Sequence, residues 1–272
     1  MSTFRGKILD SLSSLDDPEL APIVLKAYSA MSSDLKPRAI ELLTERPSWI
    51  KALLDAIDDK RIPPSVLNIN QLRRLQSSKD PEIARRVKTL WGTIREGRNP
   101  DRERVVRQMR NLVRATPGDP VAGQAVFNKL CAQCHKIHGT GQEVGPDITL
   151  NGRNDFEQLL SNVFDPSLVI GPGNQATTVA TTDGRVLTGL LAEDGKDRVI
   201  LKLQGGKLET IPRDQIDELK MSNVSLMPEE IEKQLAPREI TDLFAFLCLD
   251  KPPSDPTSKP LPGAGPILRK AK

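Results

Sequence analysis

The chain has 272 residues, of which 28% are charged and 3% are aromatic, and its net formal charge is +3. Basic and acidic residues interleave along the sequence, so no sustained basic stripe indicates nucleic-acid binding, and the few aromatic residues argue against a platform for stacking single strands. This length is enough for two compact domains, each with its own hydrophobic core.

The first part of the chain shows the hydrophobic spacing of short amphipathic helices. The clearest of them is predicted at residues 47–57, where Ile50, Leu53 and Ile57 recur at helical intervals and share one face. Helix pairs separated by polar turns predict a HEAT-like α-helical region at residues 1–115, with a plain helical bundle as the alternative. Further helices are predicted at residues 20–25, 36–43, 69–75, 80–91 and 101–115.

A run of turn-forming residues separates this region from the rest of the chain. The sequence Thr-Pro-Gly-Asp-Pro at residues 116–120 ends the helical pattern, and Asp119 is well placed to cap the helix that follows. The second domain is therefore predicted at residues 116–250, beginning with a helix that starts at Val121.

The hydrophobic period changes from helical to alternating within the second domain. Segments rich in β-forming residues, joined by Asp-Gly and Gly-Gly turns, predict an inserted antiparallel meander of about four strands at about residues 175–216. Helices return after Pro228 and Pro237. Residues 251–272 are rich in Pro, Ser and Lys and are predicted to be disordered. The predicted fold class is mainly α, with a HEAT-like region followed by a helical domain that carries the inserted sheet.

The most specific motif is Cys-Ala-Gln-Cys-His at residues 131–135. Two cysteines three apart reach the two vinyl groups on one edge of a porphyrin and form thioethers, while the adjacent histidine ligates the iron. This spacing predicts one covalently attached haem c, bound through Cys131, Cys134 and His135.

Two other chemistries compete with haem for this motif. A thioredoxin-like motif would need a strand before Cys131, and none is predicted there. A structural zinc site would need His138 and Cys248 as further ligands, and Cys248 lies in an apolar helical segment. His138 is instead expected in a surface loop. Arg153 is a candidate partner for a haem propionate, with a surface salt bridge as the alternative.

A low-spin haem that carries electrons needs a second axial ligand, and a methionine thioether raises the reduction potential. Met227 lies in a Ser-Leu-Met-Pro sequence, where an extended loop lets the side chain approach the iron, so it is preferred over Met221 or an open sixth position. The carbonyl of Pro146 is predicted to accept a hydrogen bond from the ring of His135, which would orient the imidazole.

Four segments together resemble a cytochrome c domain: residues 123–127, 131–135, 144–149 and 225–228. The closer resemblance is to the haem-binding domain at the C-terminus of large multidomain proteins of Planctomycetes and their relatives. That family carries a β-rich insertion after an Asp-Pro-Ser sequence, which is found here at residues 165–167. HEAT-like helices and a sugar-dehydrogenase-like propeller often precede the domain.

This resemblance implies a covalent haem with His135 as proximal and Met227 as distal ligand, and the transfer of single electrons. It also implies an exported parent protein. Haem attachment in bacteria takes place outside the cytoplasm, yet residues 1–7 open no apolar signal segment, and no run approaches the length of a membrane span. We therefore expect an extracytoplasmic, periplasmic protein whose signal lies on a longer parent chain, unless the start is misassigned.

No phosphate-binding loop, pair of catalytic carboxylates or nucleophile elbow is recognisable in the sequence. An electron-transfer module without a substrate of its own is therefore favoured, serving a redox partner protein or a fused dehydrogenase domain. Two alternatives stay open: a haem-containing scaffold that docks partners, and a haem enzyme or sensor with an open sixth position. Nothing in the sequence indicates an oligomeric state.

Overall fold

The computed structural model describes residues 9, 12, 15, 17–32, 35–149, 153 and 156–268. It divides into two compact units, Met1–Ile94 and Arg95–Lys272. The N-terminal segment considered above for a signal, residues 1–7, lies outside the described residues. So do residues 269–272 of the tail that was predicted to be disordered.

The first unit is built mainly from helices at the positions that the sequence predicts. The predicted apolar face of residues 47–57 is buried, because Ile50, Leu53 and Ile57 pack into its core together with Trp49. The HEAT-like arrangement stays a prediction. From residue 17 onward, the described α-helices are α1 (Leu20–Ala27), α2 (Lys36–Leu43), α3 (Pro47–Asp58), α4 (Ile69–Gln76) and α5 (Pro81–Trp91), followed by the short strand β1 (Thr93–Ile94).

Capping side chains and prolines set where these helices begin. Before α4, Asn68 accepts a hydrogen bond from the backbone N–H of Gln71 at 3.0 Å, and the Gln71 side chain accepts one from the N–H of Asn68 at 2.9 Å. This reciprocal capping box satisfies two N–H groups that the helix leaves free. Before α5, Asp80 accepts from the N–H of Glu82 at 2.9 Å, and Pro81 occupies the first helical turn.

The second unit combines helices with an inserted sheet. Its helix α7 (Pro120–Leu130) crosses a later helix, α9 (Pro237–Leu247), at very short range: a Cβ atom at Gly123 on α7 would lie 1.8 Å from the carbonyl oxygen of Asp242 on α9. The described helices are α6 (Pro100–Ala115), α7 (Pro120–Leu130), α8 (Phe156–Phe164) and α9 (Pro237–Leu247), and the short strands are β2 (Lys136–Ile137), β3 (Thr140–Gly141) and β4 (Val169–Ile170).

Helix α6 belongs to the second unit, whereas the sequence placed it in the first, with a boundary after residue 115. Its Val106 and Val113 are buried in the same apolar core as Phe244 of α9. Its Arg102 is 6% exposed and forms an ion pair with the Glu232 carboxylate at 2.7 Å. The highly charged sequence of α6 concealed these contacts because only a narrow stripe of the helix enters the core.

The inserted sheet consists of β5 (Gln175–Thr181), β6 (Val186–Asp194), β7 (Arg198–Lys202), β8 (Leu208–Pro212) and β9 (Ile216–Ser225). All neighbours are antiparallel, in the order β8-β7-β6-β5-β9. The predicted turns contain Gly184 and Gly205, whose φ angles of 83° and 80° favour glycine.

Strands β5 to β8 form the predicted meander, but β9 lies beyond the predicted limit of residue 216 and returns beside β5. Its sequence was not recognised as a strand because most of its side chains are exposed, so it lacks a clear apolar alternation. The second unit is therefore mixed in secondary structure, and the prediction of a mainly α fold is corrected accordingly.

The tail is not disordered over its described part, residues 251–268. Its backbone is hydrogen-bonded to the end of α9, where the N–H of Leu261 donates to the carbonyl of Cys248 at 2.7 Å. Further on, the N–H of Leu268 donates to Gly118 at 2.8 Å, just before α7. The compositional prediction failed because this proline-rich segment needs no regular structure of its own when other segments satisfy its backbone groups.

Candidate functional site

Residues 131–135 form one tight turn at the end of helix α7. The backbone N–H of Cys131 donates to the carbonyl of Phe127 at 2.8 Å, which continues the helical pattern into the motif. The N–H groups of Cys134 and His135 both donate to the carbonyl of Cys131, at 3.0 and 2.8 Å. Two thiols and an imidazole therefore share one short stretch of backbone, and a helix rather than a strand precedes the first cysteine.

Both thiols of the motif are free and partly buried. Burial raises the pKa of Cys131 to about 12, with a further contribution from the nearby Cys134. Burial also raises the pKa of Cys134. A dithiol that exchanges electrons as a disulfide needs a cysteine with a lowered pKa. These environments therefore do not fit thioredoxin-like chemistry.

The imidazole of His135 is oriented by a backbone carbonyl. Its Nδ1 atom lies 3.0 Å from the carbonyl oxygen of Pro146. Because a carbonyl only accepts hydrogen bonds, Nδ1 carries the proton, and Nε2 keeps the lone pair that a metal would take. The structure thus places the residue pair that the sequence singled out within hydrogen-bond distance.

Two glycines allow the loop after the motif to lie against His135. A Cβ atom at Gly145 would lie 2.8 Å from Cε1 of the His135 ring, so a larger residue would displace the imidazole. A Cβ at Gly141, whose φ is 107°, would lie 2.1 Å from the His135 carbonyl oxygen. The loop is held there by a hydrogen bond of 2.8 Å from the N–H of Gly145 to the carbonyl of Cys134. Sequence reasoning missed both contacts.

The two candidate methionines lie in different surroundings. Met227 is partly buried and packs against the same apolar core as Cys131 and Ile148. Its backbone N–H donates to Oγ of Ser225 at 3.1 Å, which fixes the loop after β9. Met221 lies within β9 and is 52% exposed. Packing against the core that also packs Cys131 therefore favours Met227 over the exposed Met221.

Arg153 is buried and holds the loop that follows the motif to the end of helix α9. Its guanidinium donates to the carbonyls of Ile148 and Thr149 at 2.5 Å each. It also donates to the carbonyls of Leu247 and Leu249, at 2.5 and 2.8 Å. Because the guanidinium is buried and bonded to four carbonyls, Arg153 does not form a surface salt bridge, and its donors are not free to bind a propionate.

His138 occupies a strained, partly buried position after the motif. Its φ angle is 48°, and its backbone N–H donates to Oγ1 of Thr149 at 2.9 Å. Its ring meets that of Phe246 edge-on, with centroids 6.1 Å apart. Burial lowers the pKa of His138, and the positive charge of Arg153 lowers it further.

This environment predicts a pH-dependent contribution of His138 to stability. Because its pKa is lower in the folded state, the unfolded state binds more protons below about pH 6.5, and stability is lost as the pH falls through the folded pKa. We expect His138→Gln to flatten the loss of unfolding free energy between about pH 7 and about pH 5. Urea unfolding at several pH values measures this, and parallel curves for the variant and the wild type would refute it.

The structure gives no support to a zinc site. Among the described residues, no group of three or more His, Cys, Asp or Glu side chains is placed to hold a metal ion. Cys248 is 1% exposed and lies at the end of α9, in the apolar core.

Within the described residues, no helix is long and apolar enough to cross a membrane.

Comparison with known proteins points to the same segment of the chain. The family model described as Cytochrome c matches residues 120–248. A protein named cytochrome c from Ginkgo biloba is 46% identical over 35 residues, which cover 12% of this chain and 31% of that protein. This chain thus spans about a third of the length of that relative. The cytochrome c family is therefore the one that residues 120–248 match, and the motif, Pro146 and Met227 all lie within that match.

Proposed function

We propose that the second unit is a c-type cytochrome module that binds one covalent haem c and transfers single electrons. The observation that carries this proposal is the tight turn at residues 131–135, in which His135 is oriented through Nδ1, inside the segment that matches the cytochrome c family. Haem-based electron transfer is the function that such a match suggests.

The residues of the site fit a covalent haem. Cys131 and Cys134 are free thiols three residues apart and would each add to one vinyl group. His135 would ligate the iron through Nε2, and the Pro146 carbonyl would hold the imidazole in that orientation. The bound haem would supply an iron that gains and loses one electron.

We propose Met227 as the second protein side chain that would ligate the iron. Its support is its partial burial against the core that also packs Cys131, and the fixed loop that carries it. Thioether ligation would keep the iron six-coordinate, so that only electrons, and no substrate atoms, would be exchanged. The surrounding apolar core, which includes Phe127 and Phe246, would exclude water from the site.

The cellular setting is also part of the proposal. A redox partner protein or a fused dehydrogenase domain would supply the electrons, as in the multidomain planctomycete-type proteins that the sequence resembles. The helices of the first unit would then be the HEAT-like region of such a protein. Because bacteria attach haem covalently outside the cytoplasm, the proposed haem supports an extracytoplasmic, periplasmic location.

Selective loss of the two motif thiols tests whether the haem is covalent. The protein is co-expressed with haem-attachment machinery, then denatured and extracted with acidified solvent. We expect haem to stay on the wild-type polypeptide, measured by its intact mass, and to be absent from the Cys131→Ser/Cys134→Ser variant. Cys248→Ala is the matched control and should retain haem, because Cys248 lies in the core and outside the motif. Haem that extracts freely from the wild type would contradict the proposal.

A further inference from the structure

The inserted sheet touches the haem-attachment motif through the turn between β7 and β8. The backbone N–H of Gly205 donates to the carbonyl of Gln133, the residue just before the second motif cysteine, at 3.1 Å. The Gln204 side chain donates to Oε1 of Gln133 at 2.7 Å. Both main chain and side chain of the motif are therefore bonded to the insertion.

The same turn also meets the loop that returns across His135. A Cβ atom at Gly206, whose φ is 82°, would lie 2.9 Å from Oε1 of Gln142. The Lys202 ammonium donates to the carbonyl of Glu143 at 3.4 Å. Gln142 is itself bonded to the motif, because its N–H donates to the carbonyl of Ala132 at 2.9 Å.

The last strand of the sheet leads directly into the loop that carries Met227, the proposed distal ligand. Strand β9 ends at Ser225, whose N–H donates to Oγ of the buried Ser167 at 3.1 Å and whose own Oγ accepts from Met227. Nearby, the buried carboxylate of Asp165 forms two hydrogen bonds with Arg95, at 2.6 and 2.7 Å. The chain segments that precede and follow the sheet are thus both held by hydrogen bonds.

We infer that the inserted sheet is a positioning element of the haem site, which holds the Met227 loop in a fixed relation to the attachment motif through the Gln204–Gln133 contact. This inference rests on the proposed function. Gln204 and Gln133 are positioning residues, since their effect on the iron is transmitted through the sheet and the motif. An insertion that served only as a separate docking module would not need to be bonded to Gln133, one of the two residues between the cysteines.

Competition with an external ligand tests this inference. Imidazole binds the iron only when Met227 leaves, so a less well positioned Met227 raises the affinity for imidazole. Loss of a hydrogen bond worth about 1 kcal/mol predicts that Gln204→Ala lowers the imidazole Kd about fivefold. The matched control is Gln215→Ala, an exposed glutamine at the turn between β8 and β9, which should leave the Kd unchanged. The double variant Gln133→Ala/Gln204→Ala should add little to the single change, because both remove the same contact.

Hydrogen exchange on the protein as isolated supplies a readout that does not depend on haem. Deuterium uptake in residues 131–145 should rise in Gln204→Ala and not in Gln215→Ala. Equal uptake in the two variants, or equal imidazole affinity, would overturn the inference. Wild-type protein without covalent haem would refute the proposed function instead, and the exchange result would still decide whether the sheet holds the motif.

Discussion

Gly123→Ala is expected to destabilise the second unit by about 3 kcal/mol or more, at the upper end of what overpacked sites cost. The added Cβ would lie 1.8 Å from the carbonyl oxygen of Asp242 and 2.9 Å from Cβ of Phe246. Both neighbours belong to helix α9, and one of them is backbone, so the clash is relieved only if α7 and α9 move apart. That separation would open the core in which Phe127 packs against Phe246 with ring centroids 5.4 Å apart.

A second glycine provides the matched control for this prediction. A Cβ at Gly97 would have no atom within 4 Å, so Gly97→Ala adds the same group without a clash. It should change stability by less than about 1 kcal/mol, through its effect on the unfolded chain. Chemical unfolding of the two variants measures the difference. A Gly123→Ala midpoint equal to that of Gly97→Ala would show that the helices do not cross as closely as described.

The same crossing shows what the sequence could predict about the fold and what it could not. The positions of α7 and α9 follow from their apolar periodicity and from the turn residues around Asp119. Their close contact at Gly123 does not, because it depends on two segments more than a hundred residues apart. Close packing is only one of several reasons for a lone glycine within a helix, so Gly123 by itself does not identify the contact.

Strand β9 and helix α6 were misjudged for a related reason. Local hydrophobic patterns reveal an element when one face is well buried, as in β5, where Val179 is fully buried. Strand β9 pairs with β5 through its backbone while exposing residues such as Met221, so pairing rather than burial defines it. Helix α6 is held to the second unit by contacts between residues far apart in sequence, such as the Arg102–Glu232 ion pair and the packing of Val106 and Val113.

At the candidate site, the sequence predicted the side chains that would bind a haem, but it did not predict the contacts that hold those side chains in place. The spacing of Cys131, Cys134 and His135 is local, and the proximity of Pro146 followed from a short loop. The contacts of Gly145 with the imidazole and of Gln204 with Gln133 depend on how the loop and the inserted sheet fold back on the motif. No pattern within a single segment carries that information.

Met227→Ala is expected to change the electronic state of the bound haem. Under the proposed ligation, removal of the thioether would leave the iron without its sixth ligand and high-spin, and the potential-raising effect of methionine would be lost. We expect the reduction potential to fall by on the order of 0.1 V, within the range of about 0.8 V that axial ligands span. Met221→Ala is the matched control. Met221 is 52% exposed within β9, and its loss should leave both the spin state and the potential unchanged.

The optical spectrum of the haem-loaded protein, oxidised and reduced, tests the central claim most directly when the wild type is compared with Met227→Ala and Met221→Ala. A c-type spectrum with a methionine–iron charge-transfer band, present in the wild type and in Met221→Ala and absent from Met227→Ala, is the result we predict for a six-coordinate electron carrier. A high-spin wild-type spectrum that is indifferent to Met227→Ala would contradict it and would favour a haem enzyme or sensor with an open sixth position.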